Sequence, residues 1–332
     1  MTQSDELLKA LQSVAHRLGG NVTDVEDIKR LSGGASQETW LLTVIDNGSP
    51  EKLILRRSPF EPLEERESQA IGLHAEAELL KSLETAGIPI PRIIYVPEDA
   101  DGIGVAYIMS HIPGETLPQR ILRKDEFAVA REALTKDTAS ALAKLHTTPV
   151  GSIPELPTSN ASDQIAQYEK ILRNFGLNRP VMELALQWLK ANCPDAGEPA
   201  LVHGDFRMGN LMIDQKGLAS ILDWELAHLG DPREDIGWLC TNSWRFGSPL
   251  RVGGFSDLPE FLYAYNGMAG TDFTVGDIEF WECLSSFKWG IMCLMMYETF
   301  QSGNDPSIER GSIGRRTSET EMDLINILER VS

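Results

Sequence analysis

The sequence is poor in cysteine and in cations, and it has no long apolar run. Its four cysteines are Cys193, Cys240, Cys283 and Cys293, and no two of them stand as a CxxC pair. That argues against a structural zinc site and points to a reducing, cytoplasmic compartment. The sequon Asn21-Val22-Thr23 then reads as a turn. No basic segment followed by an apolar run opens the chain, so no signal peptide is expected. The most apolar stretch, "WGIMCLMMYETF" from Trp289, follows Lys288 and contains Glu298. It is too short to span a bilayer and reads as a buried core helix. There is no Walker A sequence, and Gly102-x-Gly104 precedes a strand, so it does not open a dinucleotide-binding helix.

Lys and Arg total 30 against 49 Asp and Glu, a net charge of −19. Nucleic acid and anionic membranes are poor partners for such a surface, because association would work against a repulsive field. Cationic ligands, or metal ions that carry anions in, remain compatible with it. The charge also confers solubility. With 332 residues and 42% apolar content, the chain is long enough for one large domain or two lobes.

The first 110 residues read as a small, mostly antiparallel sheet with one inserted helix. Residues 4–18 form an amphipathic helix stopped by Gly19-Gly20. Strand-like runs start at Val25, Glu38 and Lys52, with the glycine turn "SGGAS" between the first two and "DNGSP" between the second and third. A charged helix from Glu67 to Thr85 stops at Gly87, and strands follow at Ile93–Val96 and Val105–Met109. After Pro113-Gly114 the pattern turns helical, over 124–147, 162–175, 180–192, 232–243, 257–267, 276–300 and 316–331, with one β interruption at 200–223. The expected organisation is α+β: an N-terminal lobe 1–110, a hinge 111–116 and a helical lobe 117–332.

The β interruption carries the chemistry. In "LVHGDFRMGNLMID", a short strand from Leu201 runs into His203, Asp205, Arg207 and Asn210. "LMID", "QKG" and "LASILDW" then make a hairpin. In a hairpin centred between Lys216 and Gly217, position 210 falls opposite position 223. Asn210 and Asp223 would then share one open end, with Asp205 just upstream. Two carboxylates and an amide oxygen are hard ligands, suited to Mg²⁺ bound with phosphates and water. Asn210 and Asp223 suffice for a nucleotide-bound metal, which leaves Asp205 to accept a proton from a hydroxyl. Either residue alone would read as a capped turn.

"HGDFRMGN" resembles the catalytic loop of the aminoglycoside and choline kinase-like phosphotransferases, distant relatives of protein kinases, and "ILDWE" resembles their metal-binding segment. "LSGGASQETW" resembles the nucleotide loop, "LILRR" the strand with the phosphate-contacting cation, and "HAEAELL" to "GIPIPRII" the helix that supplies its partner Glu. "ALAKLH" and "GDPREDIGWL" are also typical. The C-terminal "IERGSIGRRTSETEMDLI" is similar to one subgroup, the kinase-like domains of acyl-CoA dehydrogenase family members 10 and 11. The resemblance implies a bilobal protein-kinase-like fold, ATP and Mg²⁺ as cofactors, and phosphoryl transfer to a small-molecule hydroxyl.

By that resemblance Asp205 is the base or hydroxyl-orienting group, with His203 and Arg207 beside it, and Asn210 and Asp223 hold the metal. Arg56 stands where most kinases place Lys, and a guanidinium can serve there. Strand alternation lets only one of Arg56 and Arg57 face the cleft. Glu76 is its expected partner, because Glu78 points about 200° away on the helix. Gly33, Gly34, Ala35 and Ser36 would approach phosphates through backbone N–H groups. Met109, Ser110, His111 and Ile112 would bind adenine through the backbone. Asp235 is expected to bond the catalytic loop's backbone. The side chains of His16, His74, His111, His146 and His228 show no partner pattern and read as structural. Arg315 and Arg316 read as partners of Glu319 and Glu321.

Three functional classes stay open: a small-molecule kinase, a nucleotide-binding pseudokinase module and a metal-dependent hydrolase. Within the first, the acceptor is either a hydroxyacyl-CoA-like metabolite, as the C-terminal resemblance implies, or a cationic molecule such as an aminoglycoside. The long apolar helix "WECLSSFKWGIMCLMMYETF" is a candidate wall for the former, or else only core.

Overall fold

The computed structural model describes residues 3–31, 37–58 and 70–331. The chain divides into two compact units that are not contiguous in sequence. The first is Met1–Gly114 with Pro149–Leu156 and Ala219–Ala227, and the second holds the rest. The N-terminal unit therefore runs past position 110 and takes in two later stretches, one of which carries Asp223.

The first unit is built on a five-stranded antiparallel sheet. The strands are β1 (Val22–Arg30), β2 (Glu38–Asp46), β3 (Ser49–Ser58), β4 (Ile93–Tyr95) and β5 (Val105–Ser110), in the order β1-β2-β3-β5-β4. β2 alternates buried and half-buried residues along its length, as a sheet covered on one face by core requires. Helix α1 (Gln3–Ser13) packs on that face, where Leu7, Leu11, Trp40, Leu42, Val44, Leu55 and Ile108 form one core. Register then fixes the opposite face: Arg56 stands opposite Thr39 of β2 and Tyr107 of β5. Helix α2 (Leu73–Leu83) presents the buried Glu76. The loop residues Gly33, Gly34, Ala35 and Ser36 lie outside the described residues.

The second unit is mainly helical. Its elements are α3 (Pro118–Arg123), α4 (Ala128–His146), α5 (Ala161–Asn174), α6 (Pro180–Ala191), β6 (Ala200–Val202), β7 (Leu211–Ile213), the start of β8 (Leu218–Ile221), β9 (His228–Gly230), α7 (Arg233–Cys240), α8 (Leu258–Ala269), α9 (Val275–Gln301), α10 (Ile308–Gly314) and α11 (Thr317–Val331). The helix expected over 124–147 is α4, which starts at Ala128 after a short 3₁₀ turn at Asp125–Phe127, and the separate α3 precedes it. Lys124 between them is extended, and Arg131 donates to the carbonyls of Ile121 and Lys124, closing the end of α3. α7 stops at Cys240 because Thr241 leaves helical geometry. α10 and β9 carried no sequence signal: β9 is three residues long and exists as the antiparallel partner of β6.

The 27-residue α9 is the spine of this unit. Trp281, Leu284, Phe287 and Ile291 join Leu186, Leu189, Leu324 and Ile327 in one core. The apolar residues of α9 are thus mostly interior packing, and only Trp289 among the tryptophans of this helix is half-buried. α7 lies close against α9: a Cβ on Gly237 would sit 2.5 Å from the Cβ of Trp281, so this position requires glycine. No helix among the described residues is long and apolar enough to cross a membrane.

Candidate functional site

The residues of the loop His203–Asn210 lie in the second unit. β6 ends at Val202, and Gly204 turns the chain with φ 78°, a conformation that favours glycine. Asp235, fully buried in the first turn of α7, accepts the N–H of His203 at 2.8 Å and of Gly204 at 2.9 Å. The same carboxylate meets His146 Nε2 at 3.1 Å, and His146 Nδ1 meets the Tyr265 hydroxyl at 2.7 Å. The loop is therefore clamped by a chain of polar groups running from α8 through α4 to α7. His146, read from the sequence as structural, anchors this chain. Burial pushes the Tyr265 hydroxyl well above its ordinary pKa, so it stays protonated.

His203 is completely buried, and its Nδ1 accepts the N–H of Asp205 at 3.2 Å. That bond puts the ring proton on Nε2 and gives His203 a loop-shaping role. Three side-chain donors converge on the Asp205 carboxylate. Arg207 Nε reaches both oxygens, at 3.0 and 3.2 Å, Trp238 Nε1 reaches Oδ1 at 2.7 Å, and Asn210 Nδ2 reaches Oδ2 at 2.6 Å. The Arg207 guanidinium also lies over Trp244, 4.9 Å from the ring centroid.

Asn210 closes a short 3₁₀ turn, Met208–Asn210. Its amide nitrogen is committed twice, to the Asp205 carboxylate and to the Asp205 backbone carbonyl at 3.0 Å. The amide orientation is thereby fixed. Beyond β7, the N–H of Leu218 and the approach to Gly217 are held by Asp137 of α4. Leu218 N–H donates to that carboxylate at 3.1 Å, and a Cβ on Gly217 would lie 2.1 Å from it.

The second group of residues belongs to the first unit. Arg56 donates to Glu76 at 2.8 Å, to Gln37 at 2.6 Å and to Asp223 Oδ1 at 2.9 Å. Glu76 also accepts the backbone N–H of Trp224 at 3.1 Å. Arg57 faces the other side of the sheet, where it donates to Glu38 at 2.7 Å and to the Ile103 carbonyl. Glu78 is exposed. Burial disfavours the charge on Arg56, but Tyr107, Glu76 and Asp223 outweigh it and hold its pKa above the ordinary value. For Glu76 burial wins, and its pKa is raised despite Arg56. Asp223 has φ 67°, a left-handed backbone that a non-glycine residue adopts at a cost, as constrained site residues do. Its side chain is 34% exposed, so it can reach a ligand while one oxygen pairs with Arg56.

In the hinge segment, the N–H of Ser110 is already given to the Arg92 carbonyl at 2.9 Å, so it is not free for adenine. Met109 is buried, and burial together with Lys52 lowers the pKa of His111. His228, also read as structural, meets Glu234 through Nε2 at 3.2 Å. Glu321 pairs with Arg179, which leaves Arg316 to Glu319.

Sequence reasoning missed Gln37, Tyr107, Trp238 and Trp244. Trp238 stood inside the quoted "GDPREDIGWL" with no role assigned, since its partner Asp205 lies 33 residues away.

Residues 27–273 match the phosphotransferase enzyme family. The chain is 28% identical over 266 residues to mouse acyl-CoA dehydrogenase family member 10, which covers 76% of this chain and 23% of that protein. It is 27% identical over 280 residues to human acyl-CoA dehydrogenase family member 11, covering 76% and 34%. The chain thus spans a minor part of these relatives. Among solved structures, a Ralstonia eutropha protein described as a candidate aminoglycoside phosphotransferase superposes with a TM-score of 0.73 at 21% identity, covering 99% of this chain and 98% of that one. Aminoglycoside phosphotransferase APH(4)-Ia, in complex with AMP-PNP and hygromycin B, gives 0.64 at 15% identity, covering 98% and 99%. The fold is protein-kinase-like.

Proposed function

Since the chain belongs to the phosphotransferase enzyme family, we propose that it moves the γ-phosphoryl group of ATP to a hydroxyl of a small molecule. The observation that carries this reading is the Asp205 carboxylate, held by three side-chain donors from Arg207, Asn210 and Trp238. A pseudokinase module would have no use for a carboxylate so positioned. Asp205 orients the acceptor hydroxyl and takes its proton as the oxygen attacks the phosphorus. Arg56, fixed by Glu76, contacts phosphate oxygens with donors that an ammonium would supply in fewer directions.

The donor set fits Mg²⁺. Asn210 offers an amide oxygen and Asp223 a carboxylate oxygen, the hard donor types that Mg²⁺ takes together with phosphate and water. When bound, the ion would neutralise charge on the β- and γ-phosphates.

For the acceptor, a hydroxyacyl-CoA-like metabolite is supported by the relatives, which are acyl-CoA dehydrogenase family members. A cationic acceptor needs free carboxylates. In the second unit Glu282 is taken by Arg245, Arg251 and Arg330, and Glu234 by Lys288. The aminoglycoside reading, which the neighbouring structures favour by name, is weakened accordingly. Most apolar side chains of α9 help neither reading, because they are core.

Calorimetry of ATP binding with Mg²⁺ and with EDTA tests the metal assignment. Tighter binding with Mg²⁺, lost in Asn210→Ala and Asp223→Ala, is expected. Equal affinities in both conditions would contradict the assignment of these two ligands.

A further inference from the structure

We propose that Trp238 is a positioning residue for Asp205, and that a buried polar network formed by Lys288, Glu234, Gln164 and His228 fixes its indole. The proposal rests on the reading of Asp205 as the group that orients the acceptor hydroxyl.

The indole N–H of Trp238 makes the shortest contact to Asp205 Oδ1, 2.7 Å, and the residue is 4% exposed. An indole can only donate, so its partner must be an acceptor, and the bond fixes that oxygen's direction. Glu234 lies four residues earlier on α7, on the same helix face. Lys288 Nζ of α9 sits 2.9 Å from Glu234 and 5.7 Å from the centroid of the Trp238 ring. It also donates to Gln164 of α5 at 2.7 Å, while Gln164 donates back to Glu234 at 2.7 Å and His228 meets Glu234 at 3.2 Å. One cation therefore touches both the carboxylate and the ring face on α7.

Packing alone does not account for this arrangement. The Lys288 and Glu234 side chains are 8% and 3% exposed, and burying two charges costs more than apolar residues of similar size would. Neighbouring core positions of α9, such as Leu284, Phe287 and Ile291, are apolar, and a methionine at 288 would pack between α7 and α9 at less desolvation cost. The network supplies what apolar packing does not, which is direction. Gly237 sets how deeply α7 lies against α9, and the ion pair sets its rotation. Together they aim the Trp238 N–H at Asp205. A cation over the ring also draws density from the indole and strengthens its N–H as a donor.

Indole ¹H–¹⁵N spectra and steady-state ADP release test this together. The chain has seven tryptophans, so Trp238→Phe assigns its signal by loss. Asp205→Ala, and separately the charge-neutral pair Lys288→Met with Glu234→Gln, are expected to move that signal upfield. Trp238→Phe is expected to lower kcat about 10- to 100-fold, the factor of one hydrogen bond to a charged group. KM for ATP and the melting temperature should stay near wild type. Turnover is read with the best hydroxyl acceptor found, or with water. A Trp238 signal unmoved by Asp205→Ala, or wild-type kcat in Trp238→Phe, overturns the proposal. A wild-type enzyme that releases no ADP would overturn the phosphotransferase reading instead, while the spectra still decide the role of Trp238.

Discussion

At the scale of single residues the account turns on Asp205 and Arg56. Asp205→Asn keeps the side-chain shape but removes the charge that receives a proton. Turnover should fall by about 10²–10⁴, the usual contribution of a positioned acid–base group, while ATP affinity stays near wild type. Asp223→Ala should damage both, because that carboxylate pairs with Arg56 and is a proposed metal ligand. Wild-type turnover in Asp205→Asn on a verified acceptor would remove the base. Arg56→Lys is a sharper probe of the phosphate contact. One ammonium cannot serve Glu76, Gln37 and Asp223 in the geometry of a guanidinium, so KM for ATP should rise more than kcat falls. An unchanged KM would place the phosphate contact elsewhere. Asp205, Asn210 and Asp223 stood out as candidates in the sequence because their expected grouping rests on one short loop and its hairpin. Trp238, Tyr107 and Gln37 did not, because each gains its meaning from a partner distant in the chain.

At the scale of elements, α9 and the β6–β9 pair show the same division. The length and apolar content of α9 were plain, and its buried end residues follow from composition. Its buried Lys288 could be read only as a flank until α5, α7 and β9 brought Gln164, Glu234 and His228 to it. β9 was invisible because three residues carry no period; pairing with β6 creates it. The ion pair also makes a stability prediction. Burial opposes the charge on Glu234, yet Lys288 and His228 hold its pKa far below the ordinary carboxylate range. The folded-state pKa is depressed, so this stabilisation is present above the unfolded value near 4.3 and is lost as pH falls below it. Burial likewise opposes the charge on Lys288, but Glu234 outweighs it and raises its pKa, a stabilisation lost only at strongly alkaline pH. Lys288→Met alone should cost about 3–5 kcal/mol by leaving a buried charge unpaired, and the pair with Glu234→Gln much less. Urea unfolding from pH 6 to 3 should show a shallower acid loss for the pair than for wild type. Parallel slopes would contradict the assignment.

At the scale of the whole molecule, the sequence divides into a sheet-rich and a helical part, but not at a single point. Contact places Ala219–Ala227, with Asp223, in the first unit although it lies far along the chain. No composition shift marks that return, because it is set by which strands and helices the segment packs on. The net charge of −19 made cationic acceptors plausible at first sight. The second unit commits its buried Glu282 and Glu234 to its own arginines and lysine and its buried Asp235 to the loop backbone and His146, so net charge says little about the acceptor site. The most direct measurement is ADP release with hydroxyacyl-CoA thioesters, kanamycin-type aminoglycosides and choline side by side, for wild type and Asp205→Asn. The account predicts Mg²⁺-dependent phosphorylation of a hydroxyacyl compound by wild type, its loss in Asp205→Asn, and poor use of the cationic acceptors. Aminoglycoside phosphorylation with kcat/KM near the usual enzyme range of about 10⁴ M⁻¹s⁻¹ would contradict the acceptor class, and ADP release equal in both proteins with every acceptor would contradict the mechanism itself.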